Sequence, residues 1–176
     1  MEKLVKAGNE LLIVSKPHIE CIRPICRALE GFKDRVLFRF TIGSTQNDVL
    51  RWWEPGAPPF EERLESLRLA HSEGFATSVS GEPMLDGQPQ RLVEAVDPYV
   101  SDSVWLGKAN QLLSYMAMNH CSVADTERAR ALLATHSDEF IRGIYRELSG
   151  NSKMRWKDSV KKILGLELPA DVGMDV

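Results

Sequence analysis

Cysteine is scarce in this 176-residue chain. Three thiols, Cys21, Cys26 and Cys121, cannot all pair within one chain and are too few to staple a secreted fold, so reduced cysteines are expected. Long apolar runs are missing too. The longest, such as Leu11-Leu12-Ile13-Val14, fall far below the roughly 20 residues of a membrane span. Glu2 and Lys3 stand where a signal peptide would carry an apolar core. The expectation is a cytoplasmic protein with no membrane partner. A basic excess is also lacking: 22 Lys and Arg against 25 Asp and Glu give a net charge of -3, which argues against a surface devoted to nucleic-acid phosphates. No Gly-x-Gly-x-x-Gly, Walker loop, His-Glu-x-x-His or Cys-x2-Cys occurs, and the four histidines are scattered.

What remains is ordinary globular material, 43% hydrophobic and 27% charged. The length suits one domain and is short of the roughly 250 residues of a complete eight-stranded barrel. The domain is expected over residues 1–166, with an acidic tail at 167–176 that is loosely held.

Along the chain, strands alternate with helices. Glu10 to Ser15 is short, apolar and rich in branched residues, and Lys16-Pro17 stops it. Ile19, Ile22, Cys26 and Leu29 then recur at helical spacing, with a kink or a later start expected at Pro24. Val36 to Ile42 reads as a strand buried on both faces. A polar, proline-rich loop is expected from Thr45 to Pro59, then a helix from Phe60 to Glu73 stopped by Gly74. Phe75 to Val79 is a third strand, Gln88 to Val96 a short helix, and Ser103 to Leu106 a fourth strand. Ser122 to Asp125 resembles a capping box with Asp in place of Glu, opening a helical stretch that Ser137 restarts. A last amphipathic piece spans Trp156 to Leu164.

This alternation implies an α/β fold with parallel strands and right-handed crossovers, either an open doubly wound sheet or a partial (β/α) barrel with C-terminal helices. In both, ligands bind where strands end. Those ends carry Ser15 and Lys16, then Thr41, Ser44, Gln46 and Asn47, later Glu54, then Glu82, and finally Lys108 and Asn110. Lysines and carboxylates on one rim suit a zwitterionic ligand, because each of its charges finds a partner there. Polar rims also arise simply from contact with water.

The order of Ile13-Val14-Ser15-Lys16, Arg39-Phe40-Thr41-Ile42-Gly43-Ser44, Trp53-Glu54-Pro55-Gly56-Ala57-Pro58, Glu62-Arg63-Leu64 and Glu82-Pro83-Met84-Leu85 resembles one family. It is that of the radical S-adenosylmethionine proteins of the spore photoproduct lyase and DNA repair photolyase-like group. The resemblance runs over about residues 10–165. It implies S-adenosylmethionine as cofactor, with Lys16 on its carboxylate and Thr41 near its ribose or methionine part. Ser15, Ser44 and Glu54 are weaker carry-overs, and Arg63 is weighed as a structural residue bonding Glu54 or a loop carbonyl. The family's chemistry is reductive cleavage of the cofactor to a deoxyadenosyl radical, then hydrogen abstraction.

The chain departs from that pattern at the metal. The family holds a four-iron cluster on Cys-x3-Cys-x2-Cys, whereas Cys21 and Cys26 have four residues between them on a predicted helix and lack a third partner nearby. Both are expected to be packed as small hydrophobes, and no iron-sulfur cluster is expected on this chain. The reading is therefore the C-terminal portion of such an enzyme, inactive alone. Its partners would be a missing N-terminal half or a second copy of the chain. A nucleic-acid substrate is suggested only by Trp52-Trp53, which could stack a base or anchor their own loop. Two rivals stand beside it: a non-catalytic α/β binding module, and an iron-independent lyase or hydrolase using Glu54 or Glu82 as base with Lys108 as clamp.

Overall fold

A computed structural model describes residues 1–170. Five strands form one sheet: β1 (Leu11–Ser15), β2 (Val36–Thr41), β3 (Ala76–Gly81), β4 (Val104–Leu106) and β5 (Met154–Trp156). They lie in the order β1-β2-β3-β4-β5, and every neighbouring pair is parallel. Nine α-helices accompany them among the described residues: α1 (Glu2–Lys6), α2 (Ile19–Ala28), α3 (Asn47–Trp53), α4 (Phe60–Ser72), α5 (Pro89–Val96), α6 (Leu112–Met118), α7 (Val123–Thr135), α8 (Asp138–Leu148) and α9 (Asp158–Leu164).

Strand alternation divides the sheet into two unlike faces. On one, Phe38, Phe40, Val79, Val104, Leu106, Met154 and Trp156 join a single apolar core. Ile22 and Cys26 of α2, Leu64 and Leu67 of α4, Leu92 and Val96 of α5, Ile141 and Ile144 of α8, and Val160 of α9 complete that core. Those five helices therefore cover the same side of the sheet. A doubly wound fold reverses its strand order to place helices on both sides, and this sheet runs in sequence without reversal. The opposite face carries Leu12, Val14, Leu37, Arg39, Thr41, Ser78, Ser80, Trp105 and Arg155, in positions fixed by the register. Leu12 and Val14 remain 52% and 56% exposed there.

Several local expectations meet their physical causes. Pro24 lies within α2, which continues through it. Ser122 caps α7 by accepting from the amide of Asp125, and Ser137 caps α8 by accepting from that of Phe140. The stretch expected as loop from Thr45 to Pro59 contains the helix α3, which buries Leu50. β5 is a fifth strand beyond the four expected, defined by its pairing with β4. The two cysteines of α2 part company. Cys26 is buried and Cys21 exposed, because five residues of helix turn them to different sides, so only one packs as a small hydrophobe. Of the expected acidic tail, residues 167–170 lie outside regular elements and 171–176 fall outside the described residues. No helix among the described residues is long and apolar enough to cross a membrane.

Candidate functional site at the strand ends

Because all five strands are parallel, the connections after β1, β2, β3 and β4 leave from one end of the sheet. Two of these connections are enlarged by helices, α3 after β2, and α6 with α7 after β4. They are stitched to each other across that end. The amide of Leu85 donates to the carbonyl of Gly43, and that of Met84 to the carbonyl of Gly107. Gly43 has to be glycine, since a Cβ there would lie 2.7 Å from both the Leu85 side chain and the Pro83 carbonyl. The Glu82-Pro83 peptide is cis.

Lys16 and Glu54, 38 positions apart in sequence, meet on this rim. The Lys16 ammonium lies 3.4 Å from Glu54 Oε1. The other oxygen of Glu54 accepts from Arg63 Nη1 at 2.6 Å. Arg63, on α4, is fully buried. It also donates from Nε to the Pro58 carbonyl and from Nη1 to the Thr41 carbonyl, at 2.7 and 3.1 Å. One guanidinium thus ties the end of β2 to the long loop and fixes Glu54, as weighed from the sequence. Its Nη2 is buried without a hydrogen-bond partner, and so is the hydroxyl of Ser15, at the end of β1.

The remaining sequence candidates fall in different places. Thr41 lies on the sheet face opposite the core helices, one strand position before Ile42, whose amide donates to the Ser80 carbonyl. Ser44 is buried and points elsewhere: its hydroxyl donates to Asp86 Oδ2, while its oxygen accepts from the amide of Gln46 at 2.9 Å. Asp86 is a hub that the sequence did not mark. Its Oδ2 also receives Gln46 Nε2, its Oδ1 the amide of Gln88, and its carbonyl lies 2.9 Å from His136 Nε2. His136, at the end of α7, is completely buried against Phe140. Burial holds its pKa below the usual imidazole value, although its contact with the Asp86 carbonyl pulls the other way.

Farther along the rim, Glu82 pairs with Lys157, at 3.5 Å, rather than with Lys108. The backbone amide of Lys108 is taken by the Ser159 hydroxyl. Lys157 and Arg39 both lie over the ring of Trp105, 4.7 and 5.1 Å from its centroid. Neither Trp105 nor Lys157 stood out in the sequence, because an isolated Trp in a strand and a Lys before a helix carry no local pattern. Trp52 and Trp53 pack edge to face, and Arg128 of α7 covers Trp52 at 4.4 Å, joining the two enlarged connections.

Among the described residues no group of three or more His, Cys, Asp or Glu is placed to hold a metal. Burial pushes the Cys26 thiol up to about 11, with the Glu73 charge as a lesser cause, so it stays protonated and unsuited to ligation. Comparison with family models, curated proteins and solved structures found no match in any of the three.

Proposed function

We propose that the chain is part of a (β/α) barrel whose strand-end rim positions the amino-acid end of S-adenosylmethionine, and that it is inactive alone. The observation that carries this reading is the Lys16–Glu54 pair at the rim, an ammonium and a carboxylate side by side. A zwitterionic amino acid complements such a pair: Lys16 takes its carboxylate and Glu54 its ammonium. Arg63, whose guanidinium fixes Glu54, keeps Nη2 as a buried donor without a partner, and such atoms are rare. Thr41, on the sheet face opposite the core helices, would lie toward the ribose. Ser44, committed to Asp86, holds the loop rather than the cofactor.

The barrel reading is supported by the sequential strand order and by the packing of five helices against one face of the sheet, which is how barrel units are arranged. It is supported further by the open edge of β1, where Leu12 and Val14 lack cover. Additional parallel strands, from another segment or another chain, would extend the sheet there. When bound beside a four-iron cluster, the cofactor supplies radical hydrogen abstraction. The residues of this chain do not fit the cluster, so its ligands would come with the additional strands.

Calorimetry tests the reading on the chain as it stands. Wild-type protein should release heat on titration with S-adenosylmethionine, and Lys16→Ala should weaken that binding by about tenfold or more, the loss of one charge-assisted contact. Absence of heat from both proteins removes the cofactor site and leaves the two rivals, a non-catalytic binding module and an iron-independent lyase or hydrolase.

A further inference from the structure

Lys16, Pro17 and His18 alone join β1 to α2. This link is held at both ends, and at the far end the hold comes from a single side chain of α4. We propose that Glu62 is a positioning residue of the strand-end rim: by fixing the exit of the link it directs the Lys16 ammonium at Glu54, and so gives the rim its preference for a ligand with an amino-acid end. The choice of ligand rests on the cofactor reading above, whereas the direction of Lys16 stands without it.

The near end of the link is fixed by its own sequence. Ser15, the last residue of β1, is paired in register with Phe40 of β2. Pro17 is buried, its ring locks its own φ, and it disfavours helical backbone at Lys16, so that Lys16 leaves the sheet extended. The Lys16 side chain, 41% exposed, then meets Glu54 at 3.4 Å. A pair that exposed is weak by itself, so the backbone beneath it decides where the ammonium sits.

The far end is fixed from another element. α2 begins at Ile19, and His18, its N-cap, makes no side-chain bond to the helix. Glu62 of α4 supplies that bond instead: its Oε1 accepts from the Ile19 amide at 3.1 Å and lies 3.3 Å from His18 Nδ1. A carboxylate suits this place, because the first amides of a helix lack partners and its dipole presents positive charge there.

Glu62 is also the middle of three consecutive residues that reach three different connections. Before it, Glu61 Oε2 accepts from Asn47 Nδ2, at the start of α3, at 2.8 Å. After it, Arg63 bonds Glu54 and the carbonyls of Pro58 and Thr41. The first turn of α4 therefore fixes both members of the rim pair, Glu54 directly through Arg63 and Lys16 through Glu62 and the Pro17 link. Both are aimed before any ligand arrives, which lowers the cost of binding one. Lys16 and His18 are exposed and Glu62 is half-buried, so releasing the link parts the pair without opening the apolar core.

Carbodiimide coupling tests the direction of Lys16 without any ligand, because it joins amines only to carboxylates already in contact. Mass spectrometry of the wild type should find Lys16 linked to Glu54, and also Lys6 linked to Glu2, a pair 2.6 Å apart that serves as control. Glu62→Ala should lower the Lys16–Glu54 yield by about fivefold, the loss of one capping bond, and leave the control yield unchanged. Ile19→Pro removes the amide donor at a first helical position, where proline is tolerated, and should do the same with Glu62 intact. Glu62→Gln keeps the accepting oxygen and should keep the cross-link. In calorimetry, Glu62→Ala should weaken S-adenosylmethionine by about the same factor and spare 5′-methylthioadenosine, which has no amino-acid end. An undiminished cross-link in Glu62→Ala, or none in the wild type, overturns the proposal; equal losses for the two ligands would make Glu62 merely structural. A wild type that cross-links but binds no S-adenosylmethionine overturns the choice of ligand and upholds the positioning of Lys16.

Discussion

At the residue scale, Glu54 joins partners of opposite character. Arg63 is fully buried, whereas the Lys16 side chain is 41% exposed. Removing the carboxylate strands a buried guanidinium, so Glu54→Ala should lower stability by about 3 to 5 kcal/mol in denaturant unfolding. Lys16→Ala breaks a screened pair and should cost less than about 1 kcal/mol. A small loss for Glu54→Ala would mean that Arg63 is satisfied without it. His136 gives a pH dependence. Its pKa in the folded chain is depressed by burial, so the unfolded chain binds the proton more readily. Stability is then full above the unfolded value and falls as pH drops below about 6.5. His136→Gln should flatten that acid limb in unfolding measured across the range, and an unchanged limb would assign it to other groups.

At the scale of elements, what the sequence made legible was periodicity and capping. β1, β2, α4 and α5 lie within a residue or two of their expected bounds because each carries its own apolar pattern. Ser122 and Ser137 mark helix starts because a hydroxyl before a helix has a local task. β5 was invisible, since Met-Arg-Trp is too short to show alternation and becomes a strand only through β4. α3 hid in a segment whose prolines and polar residues read as loop, and Leu50 is its one buried residue. The site divides the same way. Lys16 and Glu54 were legible as strand-end residues, whereas Asp86, Trp105 and Lys157 act through partners 40 to 75 positions away. Such contacts leave no trace in spacing. Two rim connections cross at Gly43. Gly43→Ala should cost about 1 to 3 kcal/mol, because the Pro83 carbonyl lies against the new methyl. An unchanged denaturation midpoint would show that the crossing yields freely.

At the scale of the whole molecule, the two edges of the sheet differ. β5 is three residues long and its Arg155 bonds the carbonyls of Ser152 and Met154, which blunts that edge. β1 is longer, and Leu12 and Val14 stand open on it. An edge of that kind recruits other strands. Sedimentation should therefore show the isolated chain associating as its concentration rises, with Val14→Lys suppressing the association; a monomer throughout would rule out pairing between copies. The proposed cofactor site lies at the one end of the sheet where its parallel strands finish. The central claim is that the pair at residues 16 and 54 reads the amino-acid half of a nucleoside cofactor. Its most direct measurement compares S-adenosylmethionine with 5′-methylthioadenosine, which lacks that half, on the wild-type chain. The account predicts that the complete cofactor binds at least about tenfold more tightly; equal affinity for the two would contradict it.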